Sequence, residues 1–559
     1  MQVQSTQPSF TPKFLSVLRE GYGIGRFRCD AIAGLTVAIV ALPLAMALGI
    51  ASGAAPEKGL ITAVIAGFFI SLLGGSRVQV GGPTGAFVVV IFNVIAQHGF
   101  DGLLLATSLA GLILIIAGYA RLGQVIKFIP HPVVVGFTAG IAVIIASSQI
   151  RDFLGLSIDQ LPADFVQQWN VYLSALHGTN RATLGVGAGS LLLIILLRRI
   201  APRVPGFLLA IVVAAVAVVL LGLPVETIGS RFPDIPAGLP LPALPEFSLA
   251  KIQAVLPSAF TIAFLAGIEA LLSAVVADGM TGYRHRSNQE LVGQGVANVA
   301  SALFGGLPAT GAIARTATNI RAGALTPVAG MLHAAFVLLF VLFGTPLMAF
   351  VPMAALAAIL FVVAWGMSEY ERFVSLLRIP GGDRVVLLLT FGLTVFADLT
   401  VAIGVGVTLA SLLFMMRMSE SVQIENTRHI VPDVDLDDED ENQREALPDG
   451  VEVFRINGPF FFGVASDLLD TLRRVGQRPR IVILRMRLVP LLDTSGARAV
   501  EEFVRQARGG GTRVILSGVQ TQPAEMLGRV DLGAGGNEVL YAPDYAAALQ
   551  LAAGLLRDA

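Results

Sequence analysis

The chain has 559 residues, is 55% hydrophobic and only 14% charged, and carries a formal net charge of -1 with a mean hydropathy of +0.76. That is too apolar for a soluble globular protein and marks a polytopic membrane protein. The single cysteine, Cys29, excludes an intrachain disulfide framework and a cysteine-built metal or redox centre, and six scattered histidines show no metal-ligand spacing, so no cofactor, metal or nucleic-acid partner is expected.

Residues 1–29 are polar, with Lys13, Arg19, Arg26 and Arg28, and lack the apolar core of a cleaved signal peptide. Apolar segments follow at about 31–50, 59–73, 83–97, 102–119, 130–149, 183–198 and 205–222, then at about 252–278, 290–304, 311–320, 325–344, 349–366, 385–398 and 400–416. Those starting near 83 and 311 are shorter than the roughly 20 residues that cross a bilayer. With a cytoplasmic N-terminus, seventeen lysines and arginines fall on the inner side, against Lys58, Arg151, Arg181, Arg231 and Lys251 outside. The bias predicts fourteen spans with both termini cytoplasmic, and seven spans per half invert one half relative to the other. A transmembrane domain over 30–417 is therefore expected, with repeats at about 30–222 and 252–417. The Pro-rich stretch 239–245 joins the halves, and 367–384 reads as an amphipathic surface helix.

An acidic linker over 418–449, crowded with Asp435, Asp437, Asp438, Glu439, Asp440 and Glu441, precedes a small α/β domain over 450–559. Strands are predicted at 451–456, 481–484 and 513–516, with helices at 466–475, 495–508 and 544–557.

Within the apolar region one motif occurs twice. Pro83-Thr84-Gly85-Ala86-Phe87 is echoed, with one residue inserted, by Pro308-Ala309-Thr310-Gly311-Ala312-Ile313, and each copy follows a Gly-Gly pair. Interrupted apolar segments at matching places in two repeats point to a binding site near the bilayer midplane. Helix starts present unbonded amides and the positive end of the dipole, so two of them meeting head to head would hold an anion. Arg315 lies one turn into the second half-helix, and Arg321 already occupies the position of a snorkelling cation, so Arg315 is expected to be an anion ligand. Glu269 sits inside the eighth span, where an ionised carboxylate costs about 2.5 to 3.5 kcal/mol or more. It must be protonated for part of a cycle or paired, and the competing reading is a fixed ion pair with Arg315. Asp278, Gln294 and Asn298 are expected to make helix-to-helix hydrogen bonds.

Several stretches resemble the signatures of the sulfate permease family of anion transporters: Asp30-Ala31-Ile32-Ala33-Gly34-Leu35-Thr36-Val37-Ala38, Leu42-Pro43-Leu44-Ala45-Met46-Ala47, Pro56-Glu57-Lys58-Gly59-Leu60, Gly81 to Phe87, and Gly306 to Gly323. Asp493-Thr494-Ser495-Gly496 resembles the STAS domain (sulfate transporter and anti-sigma-factor antagonist) that closes such chains. The resemblance implies two intertwined inverted repeats of seven spans, divided into a core and a gate, and a homodimer. It implies substrate contacts from Thr84, Gly85, Ala86, Phe87, Gly311, Ala312, Ile313, Ala314 and Arg315, with Leu44 and Leu48 facing them. Leu44 and Ala314 stand where relatives often carry polar residues, leaving a more apolar pocket. Glu269, with Ser273 one turn on, matches the sodium-binding position of bicarbonate carriers, and a glutamate there suits a proton better than sodium. Ser495 matches the phosphorylated position of stand-alone antagonists, although a helix cap is the preferred role. The resulting expectation is a secondary active carrier in a bacterial cytoplasmic membrane, a proton symporter of a C4-dicarboxylate such as fumarate or succinate. Sodium-coupled bicarbonate or sulfate transport, an anion channel and a membrane-anchored regulator are the alternatives.

Overall fold

Every apolar segment of the sequence is helical in the computed structural model, which describes residues 10–124, 130–158, 162, 164–201, 204–233, 238–397, 399–420, 422–426, 447–462, 479–533 and 539–557. The chain forms two compact units, Met1–Ala410 and Ser411–Ala559. In the first repeat, α1 (Lys13–Arg19), α2 (Ile24–Ala51) and α3 (Pro56–Leu73) precede the short strand β1 (Gly81–Gly82) and α4 (Val88–Tyr119). Gly99, at φ +70°, breaks α4 into the two spans expected at 83–97 and 102–119. Then come α5 (His131–Ser148), α6 (Ile150–Leu154), α7 (Phe165–Ala175), α8 (Arg181–Ile200), α9 (Gly206–Leu221) and α10 (Ile228–Arg231).

The second repeat runs through α11 (Leu249–Thr281), α12 (Ser287–Leu303), β2 (Thr310–Gly311), α13 (Ile313–Arg321), α14 (Val328–Phe343), α15 (Thr345–Met348), α16 (Met353–Met367), α17 (Tyr370–Arg378), α18 (Gly382–Phe396) and α19 (Leu399–Glu420). Helix α17 is the expected amphipathic helix. Eight of these helical stretches are long and apolar enough to cross a membrane. With nine residues, α13 extends only about 14 Å and crosses half a bilayer.

Two observations correct the expected N-terminal boundary. The first span begins at Ile24, and the preceding segment is tied down: Lys13 N donates to Gly74 O at 3.0 Å, and Arg286 Nη1 donates to Thr11 O at 2.6 Å and to Ser16 Oγ at 3.0 Å. Arg77 bonds Glu20 through both guanidinium ends, which holds that carboxyl below its usual range.

The repeats are intertwined. Helices α2, α3 and α4 pack with α11, α12, α13 and α14 in one body, the core, while α5, α8 and α9 pack with α16 and α18 in a second, the gate. At the centre of the core, β1 pairs antiparallel with β2, Gly81 opposite Gly311 and Gly82 opposite Thr310. Close approach dictates glycine here. Gly82 has φ +148°, and a Cβ on it would overlap Nη1 of Arg315; one on Gly311 would overlap the Gln79 side chain.

Around this crossing, side chains satisfy a backbone that has left the helix in a layer without water. Asn298 accepts from Ala309 N at 2.9 Å and donates to Ala309 O at 2.8 Å. Leu307 N donates to Thr62 Oγ1 at 2.6 Å, Val80 N donates to Thr316 Oγ1 at 3.1 Å, and Asn319 Nδ2 donates to Val78 O at 2.9 Å. Gln294 bonds Glu290 at 2.7 Å, and Asp278 accepts from His285 N at 2.9 Å, turning α11 toward α12.

The second unit is a five-stranded sheet in the order β3 (Gln423–Asn426), β4 (Val451–Asn457), β5 (Ile481–Leu488), β6 (Arg513–Ser517) and β7 (Leu540–Ala542). Strand β3 is antiparallel to β4 and the other pairs are parallel. Helices α20 (Thr494–Gly509), α21 (Thr521–Gly528) and α22 (Tyr545–Arg557) accompany it. Strand β3 lies inside the stretch expected to be a linker, and α19 reaches past its expected end at 417. The acidic run at 433–445 and the helix expected at 466–475 lie outside the described residues. Asp493, rather than Ser495, caps α20, accepting from Gly496 N at 2.7 Å, and Ser495 is exposed.

A Gly82→Ala substitution should destabilise the membrane unit by about 2 kcal/mol or more. Gly189→Ala, where a Cβ meets nothing within 4 Å, should leave stability unchanged. Unfolding by SDS in mixed micelles measures both.

Candidate functional site

A cavity of about 420 Å³ lies where the β1–β2 crossing faces the gate. From the core it is lined by Leu44 and Leu48 of α2, by Pro83, Thr84 and Gly85, by Glu269 of α11, and by Gly311, Ala312, Ile313, Ala314 and Arg315. These are ten of the substrate and coupling positions expected from the sequence, together with Pro83.

The two charged residues of the second repeat are held by neighbouring residues of the first. Arg315, 2% exposed, donates from Nη2 to Pro83 O at 2.9 Å. Thr84 Oγ1 donates to Glu269 Oε2 at 2.8 Å. Glu269 and Arg315 make no ion pair with each other, so the fixed-pair alternative does not describe this conformation. Nε and Nη1 of Arg315 have no partner among the described residues. Ala312 N bonds Val80 O at 2.9 Å, and Thr316 N is the first amide of α13 to reach back, to Ala312 O at 2.9 Å. The amides of Ile313, Ala314 and Arg315 are thus left without backbone acceptors at the positive end of the helix dipole. A permanent cation with two free donor groups and a helix start can together stabilise an anion of one or two charges.

Three expected site residues are placed elsewhere. Ala86 and Phe87 are fully buried and do not line the cavity, because the 3₁₀ turn Gly85–Phe87 rotates them into the core. Ser273, also fully buried, lies with its hydroxyl 3.1 Å from Thr316 Oγ1; it braces α13 against α11 and makes no bond to Glu269. Conversely, the gate contributes residues that the sequence reading did not select, among them Thr138 of α5, Arg198 of α8, Phe207 of α9, Met367 of α16 and Glu369. Arg198 stacks over the Phe207 ring, 5.2 Å from its centroid, and Glu369 has φ +42°. A lone hydroxyl in an apolar span marks Thr138, but no motif joins these gate positions.

Two interlocked seven-span repeats, half-helices crossing at the core, and a partly apolar cavity that holds the free donors of Arg315 define a multi-pass anion carrier with an appended α/β domain. The chain belongs to the sulfate permease family: residues 27–390 match that family and residues 446–535 match the STAS domain. It is 43% identical to YvdB of Bacillus subtilis, provisionally named a sulfate transporter, over 92% of this chain and 95% of that protein. Against the bicarbonate transporter BicA of Picosynechococcus identity is 32%, over 90% and 91% of the two chains. A solved transmembrane domain of a cyanobacterial BicA superposes with a TM-score of 0.62 at 32% identity, covering 68% of this chain and 98% of that one. Murine Slc26a9 in its inward-facing state shares the fold at a TM-score of 0.85 and 18% identity, covering 99% and 96%.

Arg315→Gln removes a charged fork and should weaken anion binding by about 1.5 to 3 kcal/mol, roughly tenfold to a hundredfold. Scintillation-proximity binding of labelled fumarate, sulfate and bicarbonate measures this, and wild-type affinity in the variant would make Arg315 purely structural.

Proposed function

We propose that the chain is a proton-coupled symporter of a small anion, with a C4-dicarboxylate as its leading cargo, working as a homodimer in a bacterial cytoplasmic membrane with both termini inside. The observation that carries this reading is the hydrogen bond from Thr84 to Glu269 in the same cavity as the free donors of Arg315. With Glu269 ionised, the two side chains cancel and an arriving anion gains little. With Glu269 protonated, the cavity is cationic and the anion is held. Proton and anion binding therefore favour each other, which is the linkage a symporter needs. On the side that the charge bias assigns to the cytoplasm, the cavity reaches Arg198 and Glu369, so this conformation is read as inward-facing.

A proton suits the site better than sodium. A hard cation needs several oxygen ligands, whereas the hydroxyl of Ser273, one turn from Glu269, is committed to Thr316. The cargo assignment is supported by the size of the cavity and by Leu44 and Leu48, which offer apolar contact to a carbon backbone between two carboxylates. Likeness to BicA over most of both chains favours a second reading, sodium-coupled bicarbonate uptake.

Proteoliposome uptake of labelled fumarate, sulfate and bicarbonate, with pH and sodium gradients imposed separately, decides between them. Fumarate accumulation driven by inward proton flow, strengthening as the outside is acidified, is expected. Glu269→Gln should abolish gradient-driven accumulation and its pH dependence while sparing anion exchange; unchanged gradient dependence would remove Glu269 from the coupling role.

A further inference from the structure

A second cavity, of about 210 Å³, follows the first along the same helices. On α2, Leu48 lines the first cavity and Ile50 the second; on α5, Thr138 lines the first and Ser148 the second. Gly85 faces the first cavity and Val88 the second, and Phe87 between them is fully buried. The two cavities thus lie in series along the same helices.

Its polar lining comes from Asn93 of α4, Ser148 and Gln149 at the end of α5, Arg151 and Asp152 of α6, Gln168 of α7 and Arg231 of α10. Most of these groups are already committed. Arg231 binds Asp152 at 2.7 and 3.2 Å and Glu226 at 2.8 and 2.5 Å. Gln149 Nε2 donates to Ser148 Oγ at 2.8 Å, and Ser148 Oγ donates to Ile145 O at 2.8 Å. Arg151 differs from its neighbours. Its Nε is buried without an acceptor, and its guanidinium makes no hydrogen bond or ion pair among the described residues, although Asp152 is adjacent in sequence. Only Nε is shut away from solvent; the two Nη groups are not among the buried atoms and stay open to the cavity. A buried N–H normally has a partner, and that of Arg151 has none among the described residues.

We infer that Arg151, with the Asn93 amide beside it in the cavity, forms a second anion site in which a small oxyanion, carboxylate or sulfate, docks before passing to Arg315. A guanidinium fork and an amide N–H are complementary to two oxygens of such an ion. Arg231 occupies Asp152 and so keeps that carboxylate from neutralising Arg151. The inference rests on reading the chain as an anion carrier, and it adds a residue of the gate to the path.

The test reads the charge of the vestibule directly. With Cys29 replaced by Ser, Ser148→Cys places the only thiol beside Arg151. Its rates with sulfonatoethyl (anionic), trimethylammonioethyl (cationic) and methyl (neutral) methanethiosulfonates are measured in detergent, where both faces are open. Arg151→Gln should lower the anionic-to-cationic rate ratio about tenfold and leave the neutral rate unchanged. Sulfate should slow the anionic reagent in the parent and not in Arg151→Gln, and Arg151→Lys should keep the charge preference. An unchanged ratio, equal sulfate protection without Arg151, or a neutral rate that falls as far as the charged ones overturns the site. In proteoliposomes, Arg151→Gln should raise KM about five- to tenfold from the Arg151 face alone, with kcat retained; an equal KM shift from both faces overturns the docking role. If the parent carries none of fumarate, sulfate and bicarbonate, the carrier reading fails, and the thiol rates still decide whether Arg151 binds an anion.

Discussion

The structure depends on one crossing: two pieces of non-helical backbone, residues 81–82 and 310–311, paired edge to edge at the depth where a membrane offers no water. Peptide groups there must be bonded by protein. The pairing satisfies some of them, and Thr62, Asn298, Thr316 and Asn319 satisfy others, while Gln79 ties the crossing to α11 through the Ala270 carbonyl at 3.0 Å. Only after those demands are met can amides at the start of α13 remain free. The free amides are therefore a product of the surrounding satisfaction, and the polar residues buried in α3, α12 and α13 hold the site open without touching what it binds.

The two repeats are unequal at this crossing, and the inequality gives the cavity its chemistry. At the crossing the second repeat supplies the charged Arg315 and Glu269, and the first supplies the neutral groups that hold them, the Pro83 carbonyl and the Thr84 hydroxyl. Because adjacent residues of one strand end hold the cation and the carboxyl separately, neither charge is consumed by the other. Had they formed a direct ion pair, the guanidinium would be neutralised and the carboxyl would have no reason to exchange a proton.

Much of this was legible from the chain. Segment lengths and the sidedness of lysine and arginine gave the repeats, and the doubled Pro-Thr-Gly-Ala motif, each copy preceded by a Gly-Gly pair, located the crossing, because such residues let a backbone leave a helix and approach another closely. Asn298 was readable as structural because an amide inside an apolar span needs partners, whereas Gln294, expected to reach another helix, bonds Glu290 within its own. Local geometry hid the rest. A 3₁₀ turn rotates residues differently from an α-turn, so Ala86 and Phe87 point away from the cavity that Thr84 and Gly85 face. Ser273 has the helical spacing to share a face with Glu269, but α13 packs against that face and Thr316 takes the hydroxyl. In the α/β unit, β3 and β7 are four and three residues long, too short to show an alternating pattern. The gate residues come from four helices with no shared motif, and only tertiary packing assembles them.

Arranged along the helices, the cations fall into an order: Arg151 in the second cavity, then Arg315 at the crossing and Arg198 over Phe207 in the first. Arg315 belongs to the core, while Arg151 and Arg198 come from the gate-side segments. In a carrier whose core moves against its gate, an anion held at Arg315 would leave one flanking cation as it nears the other. Positive charge would then accompany it throughout, and at no stage would it have to enter an apolar layer unpaired. Such an arrangement needs the flanking cations to bind weakly enough to release, which suits an Arg151 whose guanidinium makes no hydrogen bond or ion pair among the described residues.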